Sequence, residues 1–211
     1  MIHKEVADTF RMDKKQLLFY FTKADEVLRD MGEVLDLYVS GGANMCFYVG
    51  SRDSTHDIDT APSDENILRE LSQKMQKLFP LPSTWLNPSG QIFITNEMKT
   101  EAELGLSFNS LKVFFLSYRA MLVLKVLSGR TGKEFHDLED TVVLMEKLHI
   151  NTLNQVDNLV MHYKPEWNNP LVMSFAENAL KLHNKDYSHV VETRNMSESL
   201  RRYLIMTNKE L

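Results

Sequence analysis

Apolar positions recur with a helical period over residues 15–31, at Leu17, Leu18, Phe21, Val27 and Leu28, and Gly32 is placed to stop that helix. Residues 34–39 form a short β-rich run that ends abruptly at Ser40-Gly41-Gly42, and residues 43–50 predict a short helix. Residues 57–61 read as a second strand that Pro62 breaks, after which Ser63 is placed to cap a helix over 65–79. Pro80, Pro82 and Pro88 mark a loop, and residues 91–95 and 111–116 predict two further strands with a loop at 96–110 between them. From Ser117 onward the period is helical throughout, with candidate helices at 118–128, 134–148, 152–163, 170–183 and 189–206. The pattern predicts an α+β (mixed α/β) chain: a small mixed sheet with flanking helices over 1–117, then a helical subdomain over 118–211.

Composition narrows the setting. The apolar share is 43%, enough for a hydrophobic core, and no run of about 18 apolar residues predicts a membrane span. The first fifteen residues, MIHKEVADTFRMDKK, hold no apolar stretch of the kind a signal peptide needs, and the one cysteine, Cys46, makes no internal disulfide. A cytoplasmic protein is expected. The net charge of -5 argues against a generic nucleic-acid coat; DNA is not expected, and RNA would need a local patch. The 12 methionines read as adaptable core filler, or as an adhesive partner surface.

Three features carry chemistry. Gly41-Gly42, directly after a strand, lets the backbone turn sharply and lets something approach it; amide groups in such a turn favour phosphate, although a plain tight turn has the same sequence. In Asp57-Ile58-Asp59, strand alternation puts both carboxylates on one face, roughly 7 Å apart, with Ile58 turned into a core. Such a pair is comfortable when solvated or when it shares a cation, and Mg²⁺ prefers carboxylate and phosphate oxygens. Lys125 lies within Ala120–Leu127 on a helix apolar nearly all round, so its ammonium needs a partner or a polar cavity. Gly129 caps that helix, Thr131 and Glu134 match a capping box for the next, and the short turn lets Lys125 face Asp137, with Asp140 on the same face. A structural ion pair and a catalytic cation both fit.

In this order the motifs Ser40-Gly41-Gly42-Ala43, Arg52-x-x-Thr55-x-Asp57-Ile58-Asp59, Lys125 and Asp137-x-x-Asp140 resemble the nucleotidyltransferase superfamily. The branch they look most like holds the abortive-infection (AbiEii-type) toxins of type IV toxin–antitoxin systems and their uncharacterised bacterial relatives. The resemblance covers roughly residues 37–148, and nothing familiar stands in 150–211. It implies a metal-dependent, toxin-like enzyme that moves a nucleoside monophosphate from an NTP such as ATP to an acceptor, whether tRNA, a protein or a small molecule. An antitoxin-like protein is the implied partner, and Mg²⁺ or Mn²⁺ the implied cofactor.

The resemblance also assigns roles. Gly41 and Gly42 would hold the triphosphate, and Asp57 and Asp59 would ligate metal. Lys125 would neutralise phosphate, and Asp137 would position the acceptor or orient Lys125. Arg52 and Thr55 join the nucleotide-binding set, Arg52 toward phosphate and Thr55 at the turn before the strand. Two departures stand out. Ala43 replaces a serine often found there. No acid occurs in residues 91–95 or 111–116, while Glu97, Glu101 and Glu103 fall in the expected loop. A third carboxylate is therefore missing, or comes from Asp137 or Asp140.

Rival readings are fewer. His136-Asp137 matches the dipeptide of HD-type phosphohydrolases, with His3 or His56 as the upstream histidine such a site needs. Cys46, in an apolar run, reads as a small hydrophobe rather than a nucleophile, and one cysteine with scattered histidines does not predict zinc. The serious alternative is a catalytically inactive nucleotidyltransferase-type fold that acts as a binding or regulatory module.

Overall fold

The computed structural model describes residues 10–130 and 136–184. The chain divides into two compact units, residues 1–117 and 118–211. The candidate capping box at Thr131 and Glu134, the candidate helix at 189–206 and His3 lie outside the described residues.

The first unit opens with helix α1 (Lys14–Met31), whose capping box pairs the Asp13 side chain with Gln16 and whose end is Gly32 in the left-handed conformation at φ 71°. Strand β1 (Leu35–Val39) follows, then helix α2 (Gly41–Asn44), which continues as one π-helical turn over Met45–Val49. The helix thus begins at the glycines themselves, two residues earlier than expected. After β2 (Ile58–Pro62) comes helix α3 (Glu65–Leu78), then the two-residue β3 (Leu86–Asn87), a 3-10 turn at Ser89–Ile92 and the short helix α4 (Asn96–Thr100). Strands β4 (Glu103–Ser107) and β5 (Leu111–Phe115) complete the unit.

The strands form one mixed sheet in the order β3-β2-β1-β5-β4. Strands β1 and β2 are antiparallel, β1 and β5 parallel, β2 and β3 parallel, and β4 and β5 antiparallel. Alternation sorts the side chains. Leu35, Leu37, Val39, Ile58, Leu111, Val113 and Phe115 are buried in the core beside Leu17, Phe21 and Leu28 of α1 and Leu68, Leu71 and Met75 of α3. The opposite face carries Asp36, Tyr38, Asp59, Lys112 and Phe114, the Tyr38 and Phe114 rings stacked at 4.9 Å. Buried Asp25 accepts hydrogen bonds from the backbone N–H groups of Ser110 and Leu111 at 2.6 and 3.1 Å, which ties α1 to the start of β5.

Two expectations need correction. Residues 91–95 are not a strand. Gly90 packs so tightly on β2 that a Cβ there would come within 2.9 Å of the Thr60 carbonyl carbon, and the chain coils at that point. Ile92, 73% exposed, then points outward, and Thr95 starts α4 by accepting from the Met98 N–H at 3.2 Å. The strand lies instead at Glu103–Ser107, inside the expected loop, with its register shifted between Leu104 and Leu106. The cap of α3 is Asp64, not Ser63: its carboxylate accepts from the Asn66 and Ile67 N–H groups, while Ser63 Oγ accepts from the Asp36 N–H at 3.0 Å.

The second unit is helical: α5 (Tyr118–Ser128), α6 (Asp137–Leu148), α7 (Leu153–Tyr163) and α8 (Pro170–His183), with a 3-10 turn at Pro165–Trp167. Gly129, at φ 50°, ends α5 by donating its N–H to the Lys125 carbonyl at 3.0 Å. No helix among the described residues is long and apolar enough to cross a membrane.

Candidate active site

The first group of predicted residues gathers where β1 ends and β2 begins. Ser40 donates its N–H to the Asp59 carbonyl at 2.9 Å, which seats the glycine turn against β2. The first helical bond after the turn is Asn44 N–H to Ser40 O at 3.3 Å. The N–H groups of Gly41, Gly42 and Ala43 precede that bond, in a turn whose first residue sits at φ 61°. Left-handed geometry running into helical geometry is how a backbone nest for anions is built.

The glycines are required by their neighbours. A Cβ on Gly41 would come within 2.5 Å of Asp59 Oδ2. A Cβ on Gly42 would overlap Thr55 Oγ1 and sit 3.1 Å from Arg52 Nη1. Gly41, Gly42, Arg52, Thr55 and Asp59 are therefore brought together. Thr55 is buried and held from two sides: its backbone bridges to Met12 at 2.7 and 2.9 Å, and its hydroxyl donates to the Asp57 carbonyl at 3.0 Å. Asp57, just before β2, and Asp59 within it are half-buried on either side of the fully buried Ile58. Asn44 pins the turn from beneath, its Nδ2 donating to the carbonyls of Val39 and Leu116 at 3.0 and 3.2 Å.

Two residues here went unread in the sequence. Ser89 Oγ donates to Asp59 Oδ1 at 2.6 Å and also touches Asn87 Oδ1. Asn87 stands opposite Asp59 in the β2–β3 pairing. The Asn87-Pro88-Ser89 triplet signals a turn and nothing more, because its partner lies 30 residues earlier.

The second group lies in the helical unit. The Lys125 ammonium, on α5, is 2.9 Å from Asp137 Oδ1 and 2.8 Å from Asp140 Oδ2, both on α6. All three side chains are buried. Arg130 Nε reaches Asp137 Oδ2 at 2.8 Å, and Ser128 Oγ donates to the same oxygen at 2.6 Å. Burial pushes the Asp137 carboxyl up, but the Arg130 hydrogen bond, the Lys125 charge and the Ser128 hydroxyl outweigh it and hold it well below the usual carboxylate range. Asp140 is thus a second anchor of Lys125.

The residues of the rival readings are engaged elsewhere. His56 Nδ1 faces the Phe10 carbonyl at 2.8 Å, and His136 Nδ1 faces Glu139 at 3.0 Å. Burial, with Asp13 and Asp53 nearby, pushes the Cys46 thiol up, away from the thiolate a nucleophile needs.

No family model matches the chain, and no curated protein matches it. Among solved structures, it is similar to the crystal structure of an antigenic nucleotidyltransferase-like protein from Paracoccidioides brasiliensis. The identity is 18% over 90% of this chain and 99% of that one, with a TM-score of 0.46. At that distance the likeness says nothing of this chain's chemistry, which rests on the geometry above.

Proposed function

We propose that the chain is a metal-dependent nucleotidyltransferase that moves a nucleoside monophosphate from an NTP to an acceptor. The observation that carries this reading is the packing of the Asp59 carboxylate onto the Gly41 backbone, where a Cβ would come within 2.5 Å of Oδ2. A carboxylate and a phosphate-type turn are thereby placed in contact. A plain tight turn has no need of a carboxylate on its glycine.

In this reading the N–H groups of Gly41, Gly42 and Ala43 bind phosphate oxygens, and Arg52, beside Gly42, adds positive charge. Thr55 holds the Asp57 backbone in place. The donor set suits a hard divalent cation: Asp57 and Asp59 are half-buried carboxylates two residues apart, and among the described residues Asp59 makes no ion pair with a protein cation. Asp57 and Asp59 would hold Mg²⁺ or Mn²⁺, which when bound neutralises charge on the phosphates. Lys125 and Asp137 enter as the charge-bearing and orienting residues that the resemblance assigns. Transfer joins an acceptor oxygen to the α-phosphorus and expels pyrophosphate.

The test is incubation of the protein with each labelled NTP, Mg²⁺ and cell extract, then location of the label on tRNA, protein or small molecule. Transfer by the native chain and none by Asp59→Asn is the expected result; no transfer from any NTP refutes the reading. The toxin-like role, the antitoxin partner and the cytoplasmic setting belong to the same reading. Growth arrest on expression, relieved by a co-expressed partner, tests the first two.

One observation favours a second reading, a nucleotide-binding module without transfer activity. Many superfamily enzymes carry a third acid on a later strand, and β5 presents Lys112 and Phe114 on the Asp59 face. NTP binding that needs Mg²⁺, without label transfer, is its signature.

A further inference from the structure

The two oxygens of Asp59 have unlike surroundings. Oδ1 accepts the Ser89 hydroxyl at 2.6 Å, and Oδ2 is the atom that lies over Gly41. Ser89 Oγ faces two acceptors, Asp59 Oδ1 and Asn87 Oδ1, with a single proton to give. The ionised carboxylate is the stronger acceptor and takes it. Asn87 Oδ1 is satisfied separately by the Ser89 N–H at 3.0 Å, and Asn87 Nδ2 is tied to the Thr84 carbonyl at 3.2 Å. The relay is anchored at its far end by the β2–β3 pairing that sets Asn87 opposite Asp59.

A carboxylate turns freely about its last torsion unless something holds it, because that torsion is broad and two-fold. We infer that Ser89 is a positioning residue: its hydroxyl, set by Asn87, fixes which Asp59 oxygen faces the glycine turn and so sets the affinity of the site for a divalent cation. This rests on the proposed metal-dependent reading. Without the hydroxyl, Asp59 spends part of its time with neither oxygen aimed at the turn. Losing a partner that orients a metal ligand costs about 10–100-fold in metal affinity.

The test uses the full chain with Mn²⁺ as probe, followed by electron paramagnetic resonance in the presence of a non-hydrolysable NTP analogue. Ser89→Ala is expected to weaken Mn²⁺ binding about 10-fold or more. Its melting point should be unchanged, because Ser89 is exposed. Ser89→Thr, which keeps the hydroxyl, is expected to restore binding, and Asp59→Asn to lose it. In a transfer assay the same defect appears as a raised Mg²⁺ requirement, with kcat recovered at high Mg²⁺. A Ser89→Ala protein that binds Mn²⁺ like the native chain, while Asp59→Asn does not, overturns the inference and leaves the metal reading standing. A folded Ser89→Thr protein as weak as Ser89→Ala overturns the hydroxyl as the cause. If Asp59→Asn binds Mn²⁺ normally, the metal reading itself falls and takes the inference with it.

Discussion

Replacing Lys125 by Met removes one charge from a buried network and leaves a side chain of similar volume, so no cavity forms. The lysine and its two partners are 6%, 1% and 3% exposed, which makes this an ion-pair deletion in an interior. Breaking a buried pair by deleting one partner costs about 3–5 kcal/mol. Asp137 keeps the Arg130 guanidinium at 2.8 Å and the Ser128 hydroxyl at 2.6 Å, so its loss is part-compensated. Asp140 loses the ammonium at 2.8 Å. That places the expected cost at the low end, about 3 kcal/mol, or a melting point lower by roughly 6–12 °C for a chain of this size.

Acid changes the comparison in a defined direction. Asp137 titrates below its unfolded value, so its contribution is present above about pH 4 and is lost as pH falls through the lower folded value. Without Lys125 part of that depression is gone, and Asp137 takes a proton at a higher pH than in the native chain. The deficit of the variant should therefore hold from pH 7 to about pH 4 and narrow as pH falls below that. Scanning calorimetry of both proteins across that range reads it, and Lys125→Met/Asp140→Asn should recover part of the loss through a coupling of about 1–3 kcal/mol. A Lys125→Met protein melting within about 2 °C of the native chain at pH 7 would refute this account, because a shift that small is under 1 kcal/mol. Lys125 would then serve chemistry rather than hold α5 against α6.

Asp59→Asn should fold normally and lose Mg²⁺-dependent transfer, which circular dichroism and the labelled-NTP assay check together. Asp25→Ala should cost about 2 kcal/mol in a denaturant melt, because it strips the acceptor from two N–H groups at the start of β5, one of them buried. Gly32→Ala and Gly41→Ala make a matched pair. Both sites have positive φ, at 71° and 61°, so both variants should lose about 1 kcal/mol to backbone strain. At Gly32 a Cβ meets nothing within 4 Å, whereas at Gly41 it meets Asp59 Oδ2 at 2.5 Å. Calorimetric titration with Mg²⁺ and NTP should therefore show native affinity for Gly32→Ala and a severe loss for Gly41→Ala; equal affinities would mean that the carboxylate and the turn are not coupled.

Elements whose pattern is set by burial on one face were legible in the sequence. The period of Leu17, Phe21 and Leu28 gave α1, and the alternation through Leu35, Leu37 and Val39 gave β1, because each buried side chain faces the same core. The edge of the sheet was not legible. Strand β4 buries almost nothing, and the register shift between Leu104 and Leu106 puts its two apolar residues on different faces, so the short alternation in Glu103-Leu104-Gly105-Leu106-Ser107 does not mark one buried face. Residues 91–95 have the composition of a strand, and the close approach of Gly90 to Thr60 that coils the chain there is a tertiary contact.

The same division runs through the site. Gly41-Gly42 and Asp57-x-Asp59 are local patterns that can be read without knowing what packs against them. Pairing Lys125 with Asp137, with Asp140 on the same face, needed only two helices close in sequence, and the structure adds Arg130 and Ser128 to the same network. Ser89 needed more, because only the β2–β3 pairing puts its hydroxyl on Asp59. The question of a third carboxylate also turns on pairing. Parity alone groups Lys112 with Phe114. Register then sets Phe114 beside Tyr38, and Tyr38 beside Ala61, which puts both on the Asp59 face. The strand next to β1 thus offers a cation and an aromatic ring where the resemblance leads one to look for an acid. Lys112 stands beside Asp36 in the β1–β5 register. On this sheet, the proposed chemistry rests on two carboxylates, and the orientation of Asp59 by Ser89 carries correspondingly more of it.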